Sequence, residues 1–203
     1  MRTFPLAALL LAACAGSDDR PESVAVSSPD WRSIATPADR ARLRQWRTAF
    51  VAGLDQARAQ GHAADVAREG SLLEPDAGRS ERAPAGDYRC RVIKLGSRGE
   101  DGLGYAAYPA FGCRIDDEGG VASFKKMTGS QRPVGVILPG NRRFVFLGTL
   151  VLGEEKRALD YGRDPDRDMI GVVEAVGDGR WRLVLPHPRY ESLLDVIELV
   201  PAS

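Results

Sequence analysis

The chain reads as an α+β protein that is mainly β: an antiparallel meander closing into a small barrel or bent sheet, preceded by an N-terminal helical segment. Three observations predict this. Short runs rich in β-branched and aromatic residues succeed one another from Tyr88 onward. Turn residues rather than helices separate most of these runs, which argues for antiparallel neighbours and against strand–helix–strand units. Apolar residues at helical spacing occur only ahead of Gly70.

Met1-Arg2 is a short positive start, and Phe4 to Leu11 is an apolar run too brief to span a bilayer. It ends in Leu11-Ala12-Ala13-Cys14, which resembles a bacterial lipobox. The resemblance implies a signal peptide over 1–13, cleavage before Cys14 and lipidation of Cys14; lipid chains of that kind hold a soluble domain to a membrane. With Ala15 rather than aspartate next, it implies a periplasmic protein anchored to the outer membrane. The competing reading is an ordinary secretory signal with a chance cysteine. Residues 14–29 are rich in Ser, Asp and Pro without periodicity and form a flexible tether.

Residues 30–84 are the helical segment and a loop. Thr36 as N-cap, Pro37 at the first helical position and Asp39 near the positive end open a helix. Leu43, Trp46, Phe50, Leu54 and Ala57 continue it as one apolar stripe, which could plug or cover one end of a barrel, and Gly61 stops it. His62 opens a second short helix as an exposed terminal residue. Residues 85–203 are the β domain, with strands expected over Tyr88–Leu95, Ala106–Ile115, Val121–Thr128, Pro133–Leu138, Arg143–Leu152, Ile170–Val176, Trp181–Leu185 and Leu194–Val200. Pro139-Gly140 suits a type II turn with positive φ at Gly140, and the apolar residues on both faces of its flanking strands place that pair at the centre of the domain. Gly177-Asp178-Gly179 is a hairpin turn. The glycine-rich segment from Gly96 to Tyr105 reads as a mobile hairpin loop.

With Cys14 set aside, Cys90 and Cys113 are left as a pair in an oxidising compartment, each in a strand-like run, so a disulfide is expected. Metal ligation by two thiols without a nearby histidine, or a reactive thiol, are the alternatives. Acidic and basic residues balance at 28 each. No overall field therefore favours a polyanion, and no nucleic acid is expected as partner.

The most charged short run is Arg163 to Asp168. Asp164, Asp166 and Asp168 alternate like the start of a calcium loop, but Met169 stands where that loop needs glycine and Ala175 where it needs glutamate. No metal or cofactor is expected. Asp164, Asp166, Asp168 and Arg163 are weak candidates for a polar site, with the carboxylates pairing to Arg163 and Arg167. His187, Ser192 and Asp195 spell a triad, yet no nucleophile elbow surrounds any serine and no catalytic residue is assigned.

Further segments carry a family resemblance: Asp30-Trp31-Arg32, Ala38-Asp39-Arg40 with Leu43 to Trp46, Tyr88 to Gly96, Met127 to Pro133, Phe146 to Leu150, Tyr161 to Asp164 and Arg180 to Pro186. Together, over Asp30 to Pro201, the chain resembles domain-of-unknown-function family 4893, secreted or lipoprotein-like proteins of alphaproteobacteria. The resemblance implies an envelope location and transfers no site residue. The expectation is a cell-envelope lipoprotein, a non-catalytic binding module for a protein, a cell-wall component or a small apolar ligand. The alternatives are an envelope hydrolase using the acidic loop and an inhibitor of an extracytoplasmic enzyme that presents the loop from Gly96 to Tyr105.

Overall fold

The structure, a computed structural model, describes residues 28–99, 102–177 and 179–202. The segment expected to be a signal peptide, Cys14, nearly all of the expected tether, and Asp178 of the expected hairpin turn lie outside these residues. The helical segment comprises α1 (Trp31–Ile34), α2 (Pro37–Arg44), α3 (Trp46–Ala57) and α4 (Ala63–Arg68). The strands are β1 (Gly86–Ser97), β2 (Tyr105–Ala107), β3 (Phe111–Glu118), β4 (Val121–Lys126), β5 (Gln131–Leu138), β6 (Phe144–Leu152), β7 (Asp168–Gly177), β8 (Arg180–Pro186) and β9 (Ser192–Pro201).

Every neighbouring pair is antiparallel, and β9 returns to β1 along nearly its whole length, from Tyr88 opposite Pro201 to Ser97 opposite Ser192. Eight strands, β1 and β3 to β9, thus close a barrel. The run expected as one strand over Ala106–Ile115 is two, because Tyr108 to Ala110 kink the chain. β3 pairs with β1 as far as Cys90, and β2 takes over from Ile93.

Strand alternation then sorts the side chains into two cores. Tyr88, Cys90, Phe124, Phe146, Val173, Trp181, Leu183 and Leu199 point inward and fill one end of the barrel, with Phe124 edge-on to Phe146 at 5.8 Å between centroids. Ile93, Leu95, Val145, Leu147, Val184 and Val196 point outward and meet Leu43, Phe50, Leu54, Leu72 and Leu73. This corrects the expected placement of the helices: α3 lies along the outer wall formed by β1, β8 and β9, and α2 along β7, rather than capping an end. It also explains why β6 shows no alternation, since one face lines the interior and the other faces the helical layer.

The single helix expected from Thr36 to Gly61 is broken. Thr36 does cap α2 by accepting from the Asp39 N–H at 3.1 Å. Gln45, at φ −95° and ψ 4°, then re-aims the chain into α3. Gly61 has φ 90° and ends the run in a π-type turn over Arg58–His62. Gly140 is present for a different reason than expected. Its φ is not positive, but a Cβ there would stand 2.5 Å from the Arg143 carbonyl oxygen, so only glycine fits the loop between β5 and β6.

A buried ion pair fastens the helical segment to the wall. Glu174 on β7 and Arg182 on β8 are directly opposite each other and both wholly buried. Arg182 donates to Glu174 at 2.6 and 2.9 Å, and to the carbonyls of Leu72 and Glu74 at 2.8 Å each. Its guanidinium also lies 5.0 Å from the centroid of the Phe50 ring. Arg143 donates to the other oxygen of Glu174 at 2.7 Å. Both oxygens of the buried carboxylate are thereby satisfied, and the turn at Gly70–Leu73 is pinned.

Cys90 and Cys113 form the expected disulfide between β1 and β3, with their Cα atoms 5.9 Å apart.

Candidate functional site

The barrel is filled at one end and hollow at the other. Between the inward faces of β1 and β3 to β9 lies a cavity of about 390 Å³ opening at the rim, within the roughly 300–1,000 Å³ typical of small-molecule pockets. An eight-stranded barrel is about wide enough to be packed solid or to hold one small ligand, and this one does each at a different level.

The cavity walls are mostly apolar: Val92, Phe111, Pro133, Leu150, Leu185 and Ile197 contribute. Each stands at an inward register position, as Val92 opposite Ile197 and Pro133 opposite Leu150 illustrate. Tyr108 and Tyr190 stand at the rim, 45% and 39% exposed.

Into this apolar wall the strands also direct charge. Lys94 on β1 faces Asp195 on β9 at 3.4 Å and reaches Glu191 at 3.1 Å. Ser192 donates to Asp195, completing a buried polar cluster at the seam where the barrel closes. Burial raises the Asp195 carboxyl above the usual carboxylate range, against the opposing pull of Lys94. Burial alone would lower Lys94, but Asp195 and Glu191 outweigh it and hold its pKa up. Lys126, the last residue of β4, is opposite Cys113 and also points inward. Its ammonium lies 4.3 Å from the centroid of the Phe111 ring. Burial first, and Lys94 second, push its pKa down.

The acidic loop is arranged otherwise than its spacing suggested. Asp164 pairs with Arg167 at 3.4 Å, as expected, but the partner of Asp166 is Arg189 at 2.8 Å rather than Arg163. Asp168 is buried and accepts from the Gly162 N–H at 2.9 Å, with burial raising its pKa. Arg163 is exposed. Asp166 and Asp168 border the cavity, but each carboxylate of the run has its own partner.

Ser192 and Asp195 do meet, yet no hydrogen bond joins His187 to either. Its N–H donates instead from the backbone to the Leu193 carbonyl at 2.8 Å. His62, expected to be an exposed terminal residue, is half-buried: it stacks on Tyr105 at 5.5 Å and bonds Asp65 at 2.9 Å. Two glutamines of the α3 region hold the glycine-rich loop: Gln56 accepts from the Ser97 N–H, and Gln60 accepts from the Gly104 N–H at 2.7 Å. Glu100 and Asp101 in that loop lie outside the described residues. Among the described residues, no group of three or more His, Cys, Asp or Glu is placed to hold a metal ion.

Lys94 and Lys126 were missed as site residues by sequence reasoning, although a signal existed, and Asp195 was weighed only as a member of the triad. In the expected strand from Tyr88, Lys94 shares parity with Cys90 and Val92. In the strand from Val121, Lys126 shares parity with Ala122 and Phe124. A charge at an apolar parity position is a charge aimed into the core.

A family model described as a domain of unknown function, DUF4893, matches residues 31–199. No curated protein and no solved structure matches the chain.

Proposed function

The chain belongs to the DUF4893 family, a domain of unknown function, and from the geometry of the barrel mouth we propose that it is a binding module for a small, largely apolar molecule, held in the cell envelope by a lipid on Cys14. The observation that carries the binding role is the cavity of about 390 Å³ walled by Val92, Leu150, Leu185 and Ile197. A packed barrel has no structural use for a void of that size, because each unfilled methylene volume forfeits contacts. The lipobox-like start and the disulfide support an envelope location. A hydrolytic role finds little support in the acidic loop, where Asp164, Asp166 and Asp168 share no partner and so form no acid–base pair.

Native mass spectrometry of the protein purified from its own host tests both parts. The binding role requires a co-purifying small molecule, or binding of an apolar probe such as decanol, that is lost when Ile197→Trp fills the cavity. Probe binding that is indifferent to Ile197→Trp overturns it. The anchoring role requires the mass of a lipidated Cys14 at the mature N-terminus. An intact chain beginning at Met1 overturns that part.

A further inference from the structure

Resting on the binding reading above, we propose that the barrel mouth selects a small amphipathic anion, whose carboxylate or phosphate head meets Lys126 while its apolar tail lies along Phe111, Leu150 and Ile197.

Charge accounting over the cavity lining singles out Lys126. Five cations line it: Arg42, Lys94, Lys126, Arg167 and Arg189. Four are matched within the protein, Arg42 by Asp39, Lys94 by Glu191 and Asp195, Arg167 by Glu155 at 2.7 Å and Arg189 by Asp166 at 2.8 Å. Among the described residues Lys126 has no carboxylate within 4.0 Å, and its ammonium lies over the Phe111 ring beside Gly129. A partly buried ammonium without a counter-ion is costly, and an arriving anion removes that cost through a charge-assisted hydrogen bond. The nearby Lys94 adds to the positive potential that Lys126 feels, and Asp195 offsets part of it without reaching pairing distance. Thr128, Ser130 and Gln131, which follow Lys126 around the turn into β5, line the same side of the cavity and supply neutral donors for the remaining head oxygens.

The rest of the lining argues for a tail. An inorganic anion at Lys126 would leave the Leu150 and Ile197 surface bare to water, whereas an alkyl chain covers it at about 25 cal/mol per Å². The Phe124–Phe146 pair fills the barrel beneath and so limits how long a tail the cavity accepts.

Isothermal titration of the purified protein with decanoate, decyl phosphate, decanol and inorganic phosphate tests this. Decanoate and decyl phosphate are expected to bind at least about tenfold more tightly than decanol. Lys126→Gln is expected to bring decanoate down to the decanol level, and Lys126→Arg to retain the preference. Equal affinity of the parent protein for decanoate and decanol overturns the proposal and leaves the binding reading standing; this comparison needs no variant. Retention of the preference in a folded Lys126→Gln protein also overturns it. Inorganic phosphate binding as tightly as decyl phosphate overturns the amphipathic assignment in favour of a free-anion site. Failure of all four ligands overturns the proposal, and takes down the binding reading as well when no small molecule co-purifies.

Discussion

Replacing Arg182 by alanine is expected to be among the most damaging single changes available outside the hydrophobic cores. Arg182 is fully buried and donates to Glu174 and to the carbonyls of Leu72 and Glu74. Without it, Glu174 keeps only Arg143, whose side chain is 31% exposed, the Leu72 carbonyl loses its donor, and the Glu74 carbonyl keeps only the Ala77 N–H at 3.2 Å. Removing one partner of a buried pair costs about 3–5 kcal/mol, chiefly because the surviving charge stays buried. For a domain of this size that corresponds to a fall in Tm of about 10 °C. Urea denaturation of parent and variant measures it, with the slope expected to stay constant. A double variant, Arg182→Met with Glu174→Leu, removes both charges and is expected to recover part of the loss. A loss below about 1 kcal/mol in Arg182→Ala, or a double variant no more stable than the single, would refute the account of Arg182 as the fastening between helical layer and barrel.

Other consequences are as direct. Reduction of Cys90–Cys113, or their joint replacement by serine, is expected to cost about 3 kcal/mol in denaturant, and native protein should show no free thiol at either position. Burial pushes the Tyr88 phenol from 10.0 up to about 12. The unfolded chain therefore ionises first, so this contribution is intact below pH 10 and is lost as pH rises towards about 12. Denaturation midpoints should fall across that window, and less so in Tyr88→Phe; superimposable pH curves would contradict the burial. Gly148→Val would place a Cβ 2.3 Å from the Val134 carbonyl oxygen and 2.5 Å from Phe146 Cζ. It should cost about 1–3 kcal/mol or more and lower the yield of folded protein, measured by the soluble fraction and its melt.

Strands were legible because their signal is local. Trp181, Leu183 and Leu185 alternate with Arg182 and Val184, and all but one of the expected runs survive as single strands. Closure was expected as one of two outcomes, a barrel or a bent sheet, since nothing near Leu194 announces that β9 will pair with β1 across the length of the domain. The helical layer was misplaced for a related reason. An apolar stripe says that a helix is covered without saying by what, and the outward residues of β1 and β9 that cover it are equally apolar. Arg182 looked like the solvent side of an alternating strand, and only the chain over residues 70–75 turns that side inward. In Lys126 the neighbouring Lys125 disguised the site. Lys125 points out to Asp116 at 3.0 Å, and two adjacent lysines resemble a solvated pair until the pleat separates them.

The fork at which β1 exchanges β3 for β2 has a mechanical consequence. Its last register pair on the β3 side is Cys90 with Phe111, so the covalent bond between Cys90 and Cys113 sits just beneath the point of divergence. Like a rivet at the root of a split, it stops separation from running down the barrel. The short lip above it, β2 and the kink at Tyr108, is held to β1 by three register pairs and one backbone bond from Tyr108 to Val92. Were the lip to part beside Phe111, the separation would end at this bond and leave the Phe124–Phe146 pair in place.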